Sequence, residues 1–182
     1  MELTHPRPQH FLRKLQNHLL PRVKVLLQET TMAACAPHVD KMAPPLSGNV
    51  DDAYHIHFKS GWIYRHQLLR INYTMYDVRR SQDIINPNTS CCNIMLLSDD
   101  NEDDTHPFRY ACVLGIFHAN VIYTGAGMLN YTARRVDFLW VRWFQYSGSK
   151  SVAWVDLLLD KIHFPPMASN DAFSFLNPKA II

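Results

Sequence analysis

Ten histidines, four cysteines and sixteen acidic side chains offer ample material for catalysis or metal binding, so spacing has to decide what they can do. His55 and His57 stand two apart in AYHIHFKSGWIYRH, a spacing that puts both on one face of a strand and allows a shared metal ion. No third ligand, cysteine or acidic, is evident beside them, and no metal site is expected. Cys35, Cys91, Cys92 and Cys112 fit no zinc pattern, because adjacent cysteines rarely ligate one ion together. They read as reduced thiols of an intracellular protein. Nucleophilic catalysis needs Ser or Cys with a positioned His, and no G-x-S-x-G elbow occurs. Gly125-Ala-Gly127 lacks the third glycine of a dinucleotide loop. Asp77, Asp83, Asp137 and Asp156 are scattered carboxylates that only a fold could pair. Asp99, Asp100, Glu102, Asp103 and Asp104 form a dense acidic run without the glycine turn of a calcium loop, and the expectation is a solvated loop. No catalytic residue, metal or cofactor is therefore assigned.

Recognition is the better-supported chemistry. Tyr64, Tyr73, Tyr76, Trp140 and Trp143 could contribute to an aromatic cage for a cationic side chain, although core packing is the commoner use of such residues. Arg65, Arg70, Arg79, Arg80, Arg134 and Arg135, with Arg142, could contact phosphates if the fold gathered them on one surface. Asp77 and Asp83 offset Arg79 and Arg80 in part. The net charge of +2 is too small to argue for a polyanion by itself.

The elements that would position these residues are mostly strands. FRYACVLGIFHANVIY (108–123) and VDFLWVRWFQY (136–146) are rich in aromatic and β-branched residues and predict two long strands. In the second, Phe138, Trp140, Arg142 and Phe144 share one face and Leu139, Val141 and Trp143 the other, which predicts a central strand. Strands are also expected at 53–75, with a hairpin turn at Lys59-Ser60-Gly61, at 93–98 and at 151–159. Residues 76–88 read as a turn of helix or an irregular connection ending at Pro87, and 163–178 as a surface loop with a helical turn at Asn170-Asp171. Phe11, Leu15, Leu19 and Val23 recur every four residues and predict a helix over 9–29, kinked at Pro21, with Arg13, Lys14, Arg22 and Lys24 outside. Residues 30–50, with three prolines and a glycine, predict a linker, and the β-rich domain is expected over 51–182. The N-terminus lacks an apolar signal core, and no apolar run approaches the ~20 residues that span a membrane. A 47% hydrophobic content supports a packed core.

The runs LRINYTMYDVRRSQDIINPNT, NIMLLS, HPFRYACVLGIFHANV and FLWVRWF together resemble the C-terminal region of basidiomycete Plavaka-type transposase proteins, relatives of the CACTA transposons. The helix HFLRKLQNHLLPR is similar to the segment preceding that region, so the resemblance spans about residues 9–178. It implies descent from a fungal mobile element and a nuclear location. It carries over no catalytic residue, since the nuclease carboxylates of such proteins lie upstream in a separate domain. Related sequences continue past the Asn177-Pro-Lys-Ala-Ile-Ile182 end with a further apolar segment, which implies a missing final strand and an edge prone to association. Ala111-Cys-Val-Leu-Gly-Ile-Phe117 followed by Val141-Arg-Trp-Phe144 is also similar in cadence to bromo-adjacent-homology (BAH) and other SH3-like barrels. The combined expectation is a mainly β (α+β) chain, a partly open SH3-like or BAH-like barrel behind a kinked N-terminal helix. Its expected role is that of a non-catalytic transposon-derived accessory domain binding DNA or a chromatin protein. The alternatives are a protein-interaction or structural module, or a decayed fragment without activity.

Overall fold

The structure, a computed structural model, describes residues 8–34, 50–73, 81–98, 107–125, 131–147 and 161–182. One α-helix, α1 (Pro8–Ala34), is followed by a 3₁₀ turn (Val50–His55) and then by strands only, apart from a closing 3₁₀ turn (Pro178–Ala180). The strands are β1 (Ile56–His66), β2 (Leu69–Tyr73), β3 (Ser81–Ile85), β4 (Asn93–Leu97), β5 (Phe108–Tyr123), β6 (Arg134–Trp143), β7 (Gln145–Tyr146), β8 (Ile162–His163) and β9 (Phe173–Leu176).

Leu15, Leu19, Val23 and Leu27 of α1 are all buried, as a four-residue apolar stripe requires. The helix runs unbroken through Pro21 and past the expected end at residue 29. Pro21 is on the exposed face, so the missing N–H is lost toward solvent while the apolar stripe holds the helix in place. Gln16 Nε2 donates to the Ile56 carbonyl at 3.1 Å, and Lys24 Nζ reaches Asp52 Oδ2 at 2.6 Å. The Arg13 guanidinium lies 3.4 Å from the Tyr54 ring centroid. These contacts seat the helix on the 3₁₀ turn and the start of β1.

The main sheet has the order β1-β5-β6-β9, with β4 added to β5. β4 pairs antiparallel with the first residues of β5, from Asn93↔Cys112 to Leu97↔Phe108, and β6 with β9, from Leu139↔Leu176 to Arg142↔Phe173. Separate two-stranded ribbons are formed by β2 with β3 and by β7 with β8. The mainly β reading holds, and β6 is central as expected. The described strands do not close into a barrel, because β1 and β9 stand at opposite ends of an open sheet.

The chain divides into two compact units, Met1–Tyr64 with His118–Val136 and Arg65–Phe117 with Asp137–Ile182. In the first, Thr124 N–H donates to the His55 carbonyl at 2.9 Å, and the His55 and Tyr123 rings meet edge to face at 6.3 Å. In the second, Ile85, Ile94, Leu96, Ala111, Val113, Ile116, Leu139 and Val141 form one buried cluster, against which Leu69, Ile71, Trp143, Leu176 and Ile181 pack. Phe138 is fully buried there, stacked on Phe117 at 5.6 Å and edge-on to Phe175 at 5.7 Å. Gly115 is required under this stack, since a Cβ at that position would overlap the Phe117 ring.

Several expectations are corrected. Lys59-Ser60-Gly61 is not a hairpin turn; β1 continues through it, with Ser60 (φ 57°) and Gly61 (φ 69°) both left-handed inside the strand. A glycine after a turn-forming serine is read equally well as a turn or as a bulge, and the apolar positions on either side favour continuing the strand. His55 ends the 3₁₀ turn, so His55 and His57 do not share a strand face. The irregular stretch 76–88 contains β3, whose polar residues face β2, as in Gln82 Nε2 donating to Asn72 Oδ1 at 3.0 Å. The expected loop at 163–178 contains β9, where Phe173 and Phe175 pack against Trp140. The expected strand at 151–159, the acidic run and most of the expected linker lie outside the described residues.

Candidate functional site

The residues expected to contact phosphates are not gathered on one unit. Arg65 and Arg70 are exposed on the end of β1 and on β2, in the second unit. Arg134 and Arg135 begin β6 in the first unit and, being neighbours on a strand, point to opposite faces. Arg79 and Arg80 lie outside the described residues.

The expected aromatic surface is also divided. Trp140 and Trp143 stand on opposite faces of β6. Trp140 stacks on Phe173 at 5.8 Å and leans on Phe175 at 4.7 Å. Trp143 donates its indole N–H to Ser174 Oγ at 2.6 Å, and the Arg109 guanidinium lies 4.1 Å from its ring centroid. The place a cationic ligand would take over Trp143 is thus filled from within the chain. Arg142 is used in the same way: its guanidinium lies 4.1 Å from the Phe164 centroid, Nη2 donates to the Pro165 carbonyl at 3.3 Å, and Phe144 stacks on Phe164 at 4.2 Å. These rings cement the second unit. The Tyr73 side chain and Tyr76 lie outside the described residues.

Tyr64 is different, and it comes with a partner that sequence reasoning did not single out. Trp62 is 62% exposed and Tyr64 45% exposed. Two residues apart on one strand, they present their rings on the same face roughly 7 Å apart along the chain. The Tyr64 ring lies parallel to His118 of β5, centroids 4.7 Å apart and planes within 9°. Trp62, Tyr64 and His118 all belong to the first unit, as do the exposed Lys59 and His57. His57 Nε2 meets Thr124 Oγ1 at 3.1 Å, which engages that ring with the protein. The alternation in HFKSGWIYRH was visible, but large apolar residues occupy both phases of it, and the outward phase could not be chosen from sequence.

Charge follows the same division. The first unit holds nine Lys and Arg against five Asp and Glu, a net +4, and the second nine against eleven, a net −2. The weak overall charge of +2 conceals this asymmetry. Within the first unit, burial lowers the His18 pKa to about 4, with the neighbouring Arg22 charge adding to the effect, so the ring is neutral at pH 7.

A Ser–His contact does occur in the second unit, Ser147 Oγ to His163 Nδ1 at 2.6 Å. Both residues are exposed, and among the described residues no carboxylate orients His163, so the pair lacks the third group that positions a general base. No helix among the described residues is long and apolar enough to cross a membrane. No protein-family model, curated protein or solved structure matches the chain.

Proposed function

We propose that this chain is a non-catalytic accessory module that binds nucleic acid through the outer face of β1, taking unpaired bases onto Trp62 and Tyr64. The observation that carries this reading is the ring row itself: two exposed aromatics at strand spacing, the second backed by a parallel His118 ring. Exposed aromatics on a sheet are a recurrent platform for splayed bases, since every base has a π-face to stack. The net +4 of the same unit supports an anionic backbone as the remainder of the ligand. Lys59, exposed on the same strand, is the candidate phosphate contact. The transposon-like runs in the sequence agree with an accessory role in handling DNA, and the nucleus is the corresponding location.

The test is a fluorescence-anisotropy titration of labelled single-stranded DNA of about 12 nucleotides, with the matching duplex, at two salt concentrations. Binding should favour the single strand and weaken with salt, and Lys59→Ala should reduce the slope of log K against log salt by about 0.7. Absence of binding at low salt by a chain shown folded by circular dichroism would overturn the reading. Salt-insensitive capture of a peptide by the same face would instead identify a chromatin-protein or other interaction module.

A further inference from the structure

Cys91, Cys92 and Cys112 are free thiols of the second unit. Cys112 of β5 directs its Sγ at the Sγ of Cys92, 3.3 Å away. The backbone sets them diagonally, one residue out of register: Asn93 lies opposite Cys112, and Val113 N–H donates to the Cys92 carbonyl at 2.7 Å. Cys91, the neighbour of Cys92, is exposed, while Cys92 and Cys112 are half-buried.

We infer that Cys92 and Cys112 form an oxidation site, a dithiol that a peroxide converts to a disulfide joining the start of β4 to β5. Bond formation needs the sulfurs to close from 3.3 Å to about 2.0 Å. The chemistry balances with hydrogen peroxide as oxidant. The Cys92 thiolate attacks one peroxide oxygen, the O–O bond breaks, and Cys92 becomes a sulfenic acid while hydroxide leaves and takes up a proton as water. The Cys112 sulfur then attacks the Cys92 sulfur. The S–O bond breaks, and the departing hydroxide takes the Cys112 proton as a second water. Two thiols are oxidised by two electrons and one peroxide is reduced to two waters. Burial pushes the Cys112 thiol up to about 11, with its hydrogen bond to Cys92 adding to the effect, so Cys112 is a thiol at neutral pH and is not the sulfur that attacks the peroxide.

The two cysteines are twenty residues apart in sequence, and the loop they would close contains the acidic run 99–104. Cross-linking a loop of that length raises the melting temperature of a chain this size by on the order of 10 °C. The test treats the full chain with a small excess of hydrogen peroxide, alkylates it without reduction and maps the peptides. The expected result is a peptide pair linked through Cys92 and Cys112, two fewer alkylatable thiols per chain, a higher melting temperature, and reversal by dithiothreitol. Cys91→Ser should keep the cross-link, and Cys92→Ser or Cys112→Ser should abolish it. If either serine variant fails to fold, differential alkylation of the wild-type chain before and after peroxide decides the matter alone. Continued alkylation of Cys92 and Cys112, a Cys91–Cys92 bond, or a cross-link between two chains would overturn the inference.

Discussion

Replacing Trp62 with Ala should separate recognition from folding more cleanly than any other change in this protein. The Trp62 side chain is 62% exposed, so its truncation removes little buried surface and should leave stability within about 0.5 kcal/mol of wild type. Stacking of one base on an aromatic ring contributes about 1–3 kcal/mol, which corresponds to a loss of roughly 5- to 150-fold in Kd for a single-stranded oligonucleotide. Tyr64 is 45% exposed with one ring face against His118, so Tyr64→Ala should fall at the lower end of that range. The two positions are close enough that their effects need not add. Anisotropy with a labelled oligonucleotide measures the affinity, and a thermal melt of each variant measures the stability. Trp143→Ala is the contrasting control: its indole is hydrogen-bonded to Ser174 and capped by Arg109, so it should lower stability first. A Trp62→Ala chain that melts like wild type and binds within about twofold of it would refute the stacking platform.

Phe138→Ala should cost about 3–5 kcal/mol in a denaturant titration, because the ring is fully buried between Phe117 and Phe175. Gly115→Ala should destabilise by about 1–3 kcal/mol in the same assay, since the added methyl must displace a Phe117 ring that Phe138 already backs. Stability should decline as pH falls from 6.5 toward 4. In that window the unfolded His18 takes up a proton that the folded ring, with its pKa at about 4, still refuses. Melts of His18→Gln across the window should show a shallower decline, by at most about 3 kcal/mol at its acid end and less after solvent screening.

The long strands were legible because their composition allows little else: β5 and β6 carry β-branched and aromatic residues with no proline to interrupt them. The helix was legible from one stripe, Leu15 to Leu27, whose burial outweighs Pro21. What escaped was decided by partners distant in sequence. β3 is polar and short, and becomes a strand by pairing with β2. β9 follows a stretch that carries Pro165-Pro166, and is fixed by Phe173 and Phe175 reaching Trp140. For the candidate site, residue type was a poor guide, since Arg109 and Arg142 spend their charge on the protein's own rings. Tyr64 was picked out, whereas Trp62 and His118 were not, because exposure and cross-strand stacking depend on which phase of β1 faces outward.

The left-handed pair inside β1 has a consequence for how copies of this chain behave toward one another. β1 ends the sheet order among the described residues, and an eleven-residue strand in that position is one along which an incoming chain could pair. Ser60 and Gly61 interrupt that template midway, directly beside the charge of Lys59. A second strand laid along the edge would lose register at the interruption and leave polar groups unmatched, which would oppose edge-to-edge growth there. On the proposed reading, the same irregularity sets off the short segment with the exposed Trp62 and Tyr64, which would suit a ligand that stacks over one that must zip along the whole strand.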